Sequence, residues 1–310
     1  MRSILIIALM VSLSLATLPV ASDTLKPRLL GVAGITVRAT DLTRSTIFYR
    51  DLLGFSEVSP VDDQNGARLF RINERQFVEV LPGLDPAQDR LVRVVLQTDR
   101  VGLMRSHLSW RGWKVPSAVS VDRRGWRSIQ VADQEGRQLE FIEYPKNISD
   151  SLGKGSNLTL TPISTRLLHA GIIVTAVPPA LNFYAGLLGL REFWRGSGRD
   201  SKYLSWINMR LPESEDYLEL MLYGEEPPGD RRGSAHHLCL EVPDIEAARA
   251  RLEANPVRAS YTRPIEIRVG VNRRRQLNLF DPDGTRAELM EPRTIDGVPP
   301  VSSRDPYPPR

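Results

Sequence analysis

The chain has 310 residues, 41% of them hydrophobic and 25% charged, with a formal net charge of +4. Those values are ordinary for a globular protein, and the length is enough for two domains with separate cores. The small, scattered positive charge argues against nucleic acid or an anionic membrane as partner, and a single cysteine, Cys239, rules out an internal disulfide.

In chain order, residues 1–22 read as a secretory signal peptide. Arg2 gives a charged start, Ile4 to Leu18 is apolar or small, and Val20-Ala21-Ser22 suits cleavage after Ser22. The apolar run is short for a membrane span. The mature protein is therefore expected to be exported, to the periplasm or beyond, with no membrane attachment after cleavage. A first module is expected over residues 30–145. Asp41 can cap its first helix and Gly54 can end it; Val92 to Leu96 is a strand, and Asp99 can cap a second helix running to Gly112. Asp133-Gln-Glu-Gly136 closes the last hairpin. Residues 146–164, rich in Ser, Asn, Gly and Thr, read as a linker carrying glycosylation sequons at Asn147 and Asn157.

A second module is expected over residues 165–292. It repeats the first at an offset of 135 residues: Ile47-Phe48-Tyr49-Arg-Asp-Leu52-Leu53-Gly54 returns as Asn182-Phe183-Tyr184-Ala-Gly-Leu187-Leu188-Gly189. Asp244 can cap its second helix, and Asp281-Pro-Asp-Gly284 matches the earlier turn. Residues 293–310 form a Pro-rich tail expected to be loose. Each half-module reads as strand, helix, then a meander of strands. The expected class is thus α+β, with four βαβββ units paired into two tandem modules, each a curved, cup-like mixed sheet with helices outside.

Four residues of the second module share one phase of strand alternation. Ala170, Ile172 and Val174 alternate with His169; Leu218, Leu220 and Leu222 with Glu219; Leu238, Leu240 and Val242 with His237; Ala287 and Leu289 flank Glu288. A strand has a side-chain period of two, so all four ionisable groups leave the face opposite the aliphatic one. Two imidazoles and two carboxylates on a concave face make a site for one divalent ion, Zn, Ni, Mn or Fe(II). For an isolated histidine a structural role would be the better reading. Cys239 shares the phase of His237 and reads as a small buried filler. His236 should point away from the cup, toward the surface or a helix, and His107 should face solvent.

These motifs, in their order and recurrence, resemble the vicinal oxygen chelate superfamily, which includes glyoxalases, extradiol dioxygenases and bleomycin-resistance proteins. The resemblance implies metal ligation by His169, Glu219, His237 and Glu288, with Glu219 or Glu288 also acting as general base on a small vicinally oxygenated substrate, through a metal-stabilised enolate. An alternative is extradiol ring cleavage, with His169, His237 and Glu288 as the Fe(II) triad and Glu219 outside it. The stretch Arg268 to Phe280 lacks the additional His and Tyr that such enzymes usually carry. A third reading is non-catalytic ligand sequestration. In module one, counting back from the helix caps places Gly34 and Val92 where the histidines would stand, beside Glu79 and Glu140, so that module reads as structural. Arg273, Arg274 and Arg275 offer a cationic rim, with a solvated hairpin as the plainer reading. Gly196-Ser-Gly198 is only a loop. Oligomeric state is not legible.

Overall fold

The computed structural model describes residues 27–58, 66–147 and 161–309. The expected signal segment, the sequon asparagine Asn157 and most of the linker lie outside them.

The described residues form two eight-stranded mixed sheets with few helices. The first contains β1 (Leu29–Arg38), β2 (Ser56–Val58), β3 (Arg68–Arg71), β4 (Phe77–Leu81), β5 (Leu91–Thr98), β6 (Ser120–Val121), β7 (Arg127–Ala132) and β8 (Gln138–Glu143). The second contains β9 (Leu167–Val174), β10 (Arg191–Ser197), β11 (Leu204–Arg210), β12 (Tyr217–Leu222), β13 (His237–Glu241), β14 (Ile267–Val269), β15 (Arg274–Phe280) and β16 (Arg286–Thr294). Their orders, β2-β3-β4-β1-β5-β8-β7-β6 and β10-β11-β12-β9-β13-β16-β15-β14, are the same order shifted by eight. In each unit the first strand pairs parallel with the fourth, and the two units of a sheet join through antiparallel first strands. The expected α+β fold of four βαβββ units is the one observed.

Each unit carries its helix after its first strand: α1 (Leu42–Thr46, continuing as a π-helix to Leu52), α2 (Val101–Trp110), α3 (Val177–Leu181, continuing as a π-helix to Leu187) and α4 (Ile245–Glu253). The Asp41 side chain accepts from the N–H groups of Thr43 and Arg44, and Asp244 accepts from those of Glu246 and Ala247, so both termini are capped as the sequence suggests. Gly54 and Gly189 sit at φ +74° and +79°, the left-handed region that costs glycine little. Helix α2 departs from expectation. Asp99 accepts instead from the Arg28 N–H, and Glu143, reaching over from β8, receives the Val101 N–H at 2.8 Å. A tertiary carboxylate takes the place of the local cap.

The aliphatic phase of each strand packs where the alternation put it. Ala170, Ile172, Leu218, Leu220, Leu238, Leu240, Ala287 and Leu289 join Phe48, Tyr49, Phe183 and Tyr184 in one core that runs through both modules. Burying one large apolar side chain contributes roughly 1.5–3 kcal/mol, so this shared core couples the modules. Polar ties cross it in matched pairs. Tyr49 donates to Asp281 at 3.0 Å, and Tyr184 donates to Asp133 at 2.8 Å. Asp283 accepts from the Thr40 N–H and hydroxyl, while Glu135 accepts from the N–H groups of Thr175 and Ala176. The two repeated turns thus each clamp the start of a helix in the other module.

Three expectations are corrected. His236 is not at the surface: it is buried, with Nδ1 2.8 Å from an Asp89 carboxylate oxygen of the first module. His107 is half-buried and lies 3.1 Å from the Leu187 carbonyl across the modules. The tail is tied down rather than loose. β16 extends to Thr294, and the Ser303 N–H donates to the Arg195 carbonyl while Pro306 accepts from Leu204. For the two histidines the cause is the facing module, and for the tail it is the open edge of the second sheet.

Candidate metal centre

Sheet pairing places the four candidate ligands in two adjacent cross-strand rows. One row runs Tyr217–His169–Cys239–Glu288, the next Glu219–Gly171–His237–Arg286, on β12, β9, β13 and β16 in turn. All four are buried, and their donor atoms converge. The Nε2 atoms of His169 and His237 are 3.0 Å apart. Glu288 Oε2 lies 3.9 Å from His169 Nε2 and 3.5 Å from His237 Nε2; Glu219 Oε2 lies 3.9 and 3.4 Å from the same atoms. One ligand atom each from His169, His237 and Glu288 falls within 4.8 Å of the others, and Glu219 stands beside that triad.

The row position between Glu219 and His237 belongs to Gly171. A Cβ there would lie 2.0 Å from the His237 ring and 2.7 Å from the Ala235 carbonyl. The missing side chain is therefore what lets the imidazole lie down across β9. His237 Nδ1 lies 2.8 Å from the same carbonyl. A carbonyl only accepts, so Nδ1 carries the proton and Nε2 presents its lone pair to the cluster. Such backbone orientation of a histidine is typical of metal ligands. His169 stacks against Tyr217 with ring centroids 4.4 Å apart, and its Nδ1 has no hydrogen-bond partner among the described residues.

The electrostatics agree with ligation. Burial, then the neighbouring imidazole, pushes the His169 pKa well down. Burial, then Arg286, does the same for His237. Both rings are thus neutral at neutral pH, as metal binding requires. Burial and the adjacent Glu288 push the Glu219 carboxyl up to about 8. Two carboxyl groups packed this closely without a cation disfavour double ionisation, and a divalent ion would relieve that. Cys239 is fully buried beside Tyr217 and Met290, its thiol pushed up by burial, as expected of a filler.

Module one shows what the same rows become without histidines. Pairing aligns Gly34 with His169, Glu79 with Glu219 and Glu140 with Glu288. Opposite Thr36, where the second module has His237 opposite Gly171, stands Arg93. The expectation of Val92 at this position is corrected by one residue, because the N-cap of α2 is Arg100 and not Asp99, so seven residues back from the true cap is Arg93. The Arg93 guanidinium bridges the two carboxylates, at 2.6 Å from Glu79 and 2.7 Å from Glu140. That cup holds its own cation, covalently attached.

Above the four candidate ligands opens a cavity of about 450 Å³, lined by Glu219 and Glu288, by Trp194 and Trp206, and by Arg199, Arg268 and Arg286. Of the three arginines proposed for the rim, Arg275 pairs with Glu291 and Arg273 with Asp296; Arg274 lines a neighbouring chamber of about 560 Å³ walled by Phe193, Tyr217 and the tail. Sequence reasoning missed Gly171, Arg93 and Arg286. The alternation contained all three, but only the pairing register gives them meaning.

The model for the glyoxalase/bleomycin resistance protein/dioxygenase superfamily matches residues 166–289. A comparison with curated protein sequences found no match. Among solved structures, the chain is similar to the Mn(II)-bound glyoxalase from Novosphingobium aromaticivorans, at 16% identity and TM-score 0.63, with 86% of this chain and 83% of that one covered. It is also similar to the 2,3-dioxygenase LapB from Pseudomonas sp. KL28, at 15% identity and TM-score 0.65, covering 89% and 97%. An extradiol ring-cleaving dioxygenase from B. fuscum aligns at 20% identity and TM-score 0.62, covering 91% and 76%. At these identities the likeness is one of fold.

Proposed function

We propose, from the match of residues 166–289 to the glyoxalase/bleomycin resistance protein/dioxygenase superfamily, that the chain is a divalent-metal-dependent enzyme of lyase or isomerase type, acting on a small, vicinally oxygenated substrate. The observation that carries the reading is Glu219, a second carboxylate at 3.4 Å from His237 Nε2, beside a triad of His169, His237 and Glu288 that already suffices to hold an ion. The donor set suits Zn, Ni, Mn and Fe(II) alike.

Bound by the triad, the ion would supply Lewis acidity toward the substrate's adjacent oxygens. The chain's own residues do the rest. Glu219, standing beside the triad, takes the proton alpha to the substrate carbonyl and returns it to the neighbouring carbon. Trp194 and Trp206 wall the cavity against water, and the side chains of Gln276 and Asn278 offer amide donors at its lining. Gly171 and the Ala235 carbonyl keep the His237 ring aligned.

The test is proton exchange in D2O. A panel of 2-hydroxy carbonyl compounds would be incubated with metal-loaded protein and followed by NMR. Wild type should exchange the alpha proton of at least one member, and Glu219→Gln should lose about 100-fold or more of that rate with unchanged metal content. The two-histidine, one-carboxylate triad favours a second reading, Fe(II)-dependent cleavage of catechols. That reading expects oxygen uptake that survives Glu219→Gln and is lost in Glu288→Ala, with no exchange on the panel.

A further inference from the structure

We propose that Arg286 is the anion-recognition group of the second cup, set free by metal loading to bind a carboxylate or phosphonate on the substrate. This rests on the metal-site reading above and specifies its substrate class: a small molecule with vicinal oxygens and an anionic oxygen group.

The two cups make an internal comparison. Each carries a guanidinium beside two carboxylates, half-buried in the first cup and buried in the second. In the first, Arg93 is spent on Glu79 and Glu140 at 2.6 and 2.7 Å. In the second, both carboxylates turn instead to the imidazoles, and neither Arg286 nor Arg199 has a carboxylate partner among the described residues. The Nε of Arg286 is buried with no hydrogen-bond partner there. Its Nη2 lies 2.9 Å from both ring nitrogens of His237. Since His237 Nδ1 is protonated toward the Ala235 carbonyl, Nε2 is the only one of the two that can accept from Arg286.

That nitrogen has one lone pair. It can accept from Arg286 or bind an ion, but not both. Loading the ion therefore removes the hydrogen-bond acceptor of Arg286, and the guanidinium is left partly buried on the cavity wall beside a new positive charge. The charge balance of the cavity then requires an anion. Arg268 is paired with Glu266 at 2.7 Å, and Arg199 donates to the Val269 carbonyl and has no carboxylate partner among the described residues. The two carboxylates at the site are matched by the ion itself, so Arg199 and Arg286 remain uncompensated. A guanidinium fork suits a carboxylate or phosphonate held by paired donors.

The experiment uses the full chain loaded with Co(II), read by its visible spectrum during titration with three hydroxamates sharing one vicinal-oxygen head. Acetohydroxamate is uncharged beyond that head, malonomonohydroxamate adds a carboxylate, and phosphonoacetohydroxamate adds a phosphonate. At least one charged probe should bind about tenfold or more tighter than acetohydroxamate, and the tighter of the two names the group. In Arg286→Met the advantage should collapse while acetohydroxamate affinity holds, and Arg286→Lys should restore part of it. Arg286→Met should also hold cobalt more tightly than wild type, because a competing donor and a positive neighbour are gone. Equal affinity for all three probes in cobalt-loaded wild type would overturn the inference alone, as would a full advantage retained in Arg286→Met. Failure to take up cobalt would overturn the metal-site reading and this inference with it.

Discussion

At the scale of single residues, the site depends as much on a missing side chain as on the ligands. Gly171 is in the same strand phase as His169 and paired with both Glu219 and His237. Gly171→Ala adds one carbon 2.0 Å from the His237 ring, so that ring must move or the strand must part. The variant should fold, since the rest of β9 packs on the aliphatic face, yet bind metal about 10–100-fold more weakly, as loss of ligand orientation does elsewhere. Competition with a chromogenic chelator measures it; wild-type affinity would sink the account of Gly171. The same scale explains the silent cup. Arg93→Met strands Glu79 and Glu140 together in a half-buried place, and losing hydrogen bonds to such charged groups costs about 1.5–3 kcal/mol. Urea unfolding should register that loss, and a variant within about 0.5 kcal/mol of wild type would show the bridge to be dispensable.

At the scale of elements, β10 is an edge strand whose outward backbone groups are taken up by the tail. Ser302 accepts from the Arg195 N–H at 3.3 Å, and Ser303 donates to the Arg195 carbonyl at 2.9 Å. Exposed edges recruit other chains. Removing residues 302–310 should therefore raise self-association, seen by light scattering. A monodisperse truncated chain identical to the parent would argue that the edge needs no cover. The helices were legible locally where a cap lay in sequence, at Asp41 and Asp244, and illegible at α2, whose first N–H is met by Glu143 from another strand.

At the scale of the whole molecule, the two modules share one core and are joined by crossed ties. Tyr49→Phe removes a donor from buried Asp281 and should cost about 1.5–3 kcal/mol, with Tyr184→Phe costing a similar amount and the two adding. The Asp89–His236 contact gives the interface a pH dependence. Burial alone would raise the Asp89 pKa, but its hydrogen bond to and attraction by His236, with Leu91 and Arg232, hold it below the usual carboxylate value. A carboxyl depressed in the folded state stabilises the fold above its unfolded value of about 3.9, and that contribution is lost as pH falls through the folded value. Thermal melts of wild type and Asp89→Asn should thus converge in acid and separate toward neutrality.

The sequence by itself determined the units and the ligands. Alternation with a period of two assigns each side chain to a face, a capping aspartate and a left-handed glycine punctuate a helix, and a repeat at fixed offset copies a topology. All of these are local rules, and His169, Glu219, His237 and Glu288 obey them. What only the tertiary structure decided is which residue stands opposite which. Arg93 rather than Val92 faces the first cup because α2 is capped at Arg100, one residue beyond the aspartate that the sequence offers, and Arg93 pairs with Thr36. Gly171 matters because another strand lays an imidazole over it, and Arg286 because its row neighbour is His237. His236, His107 and the tail look exposed until the second module or an open strand edge arrives beside them. Such relations join positions far apart in the chain, and no period within one strand encodes them.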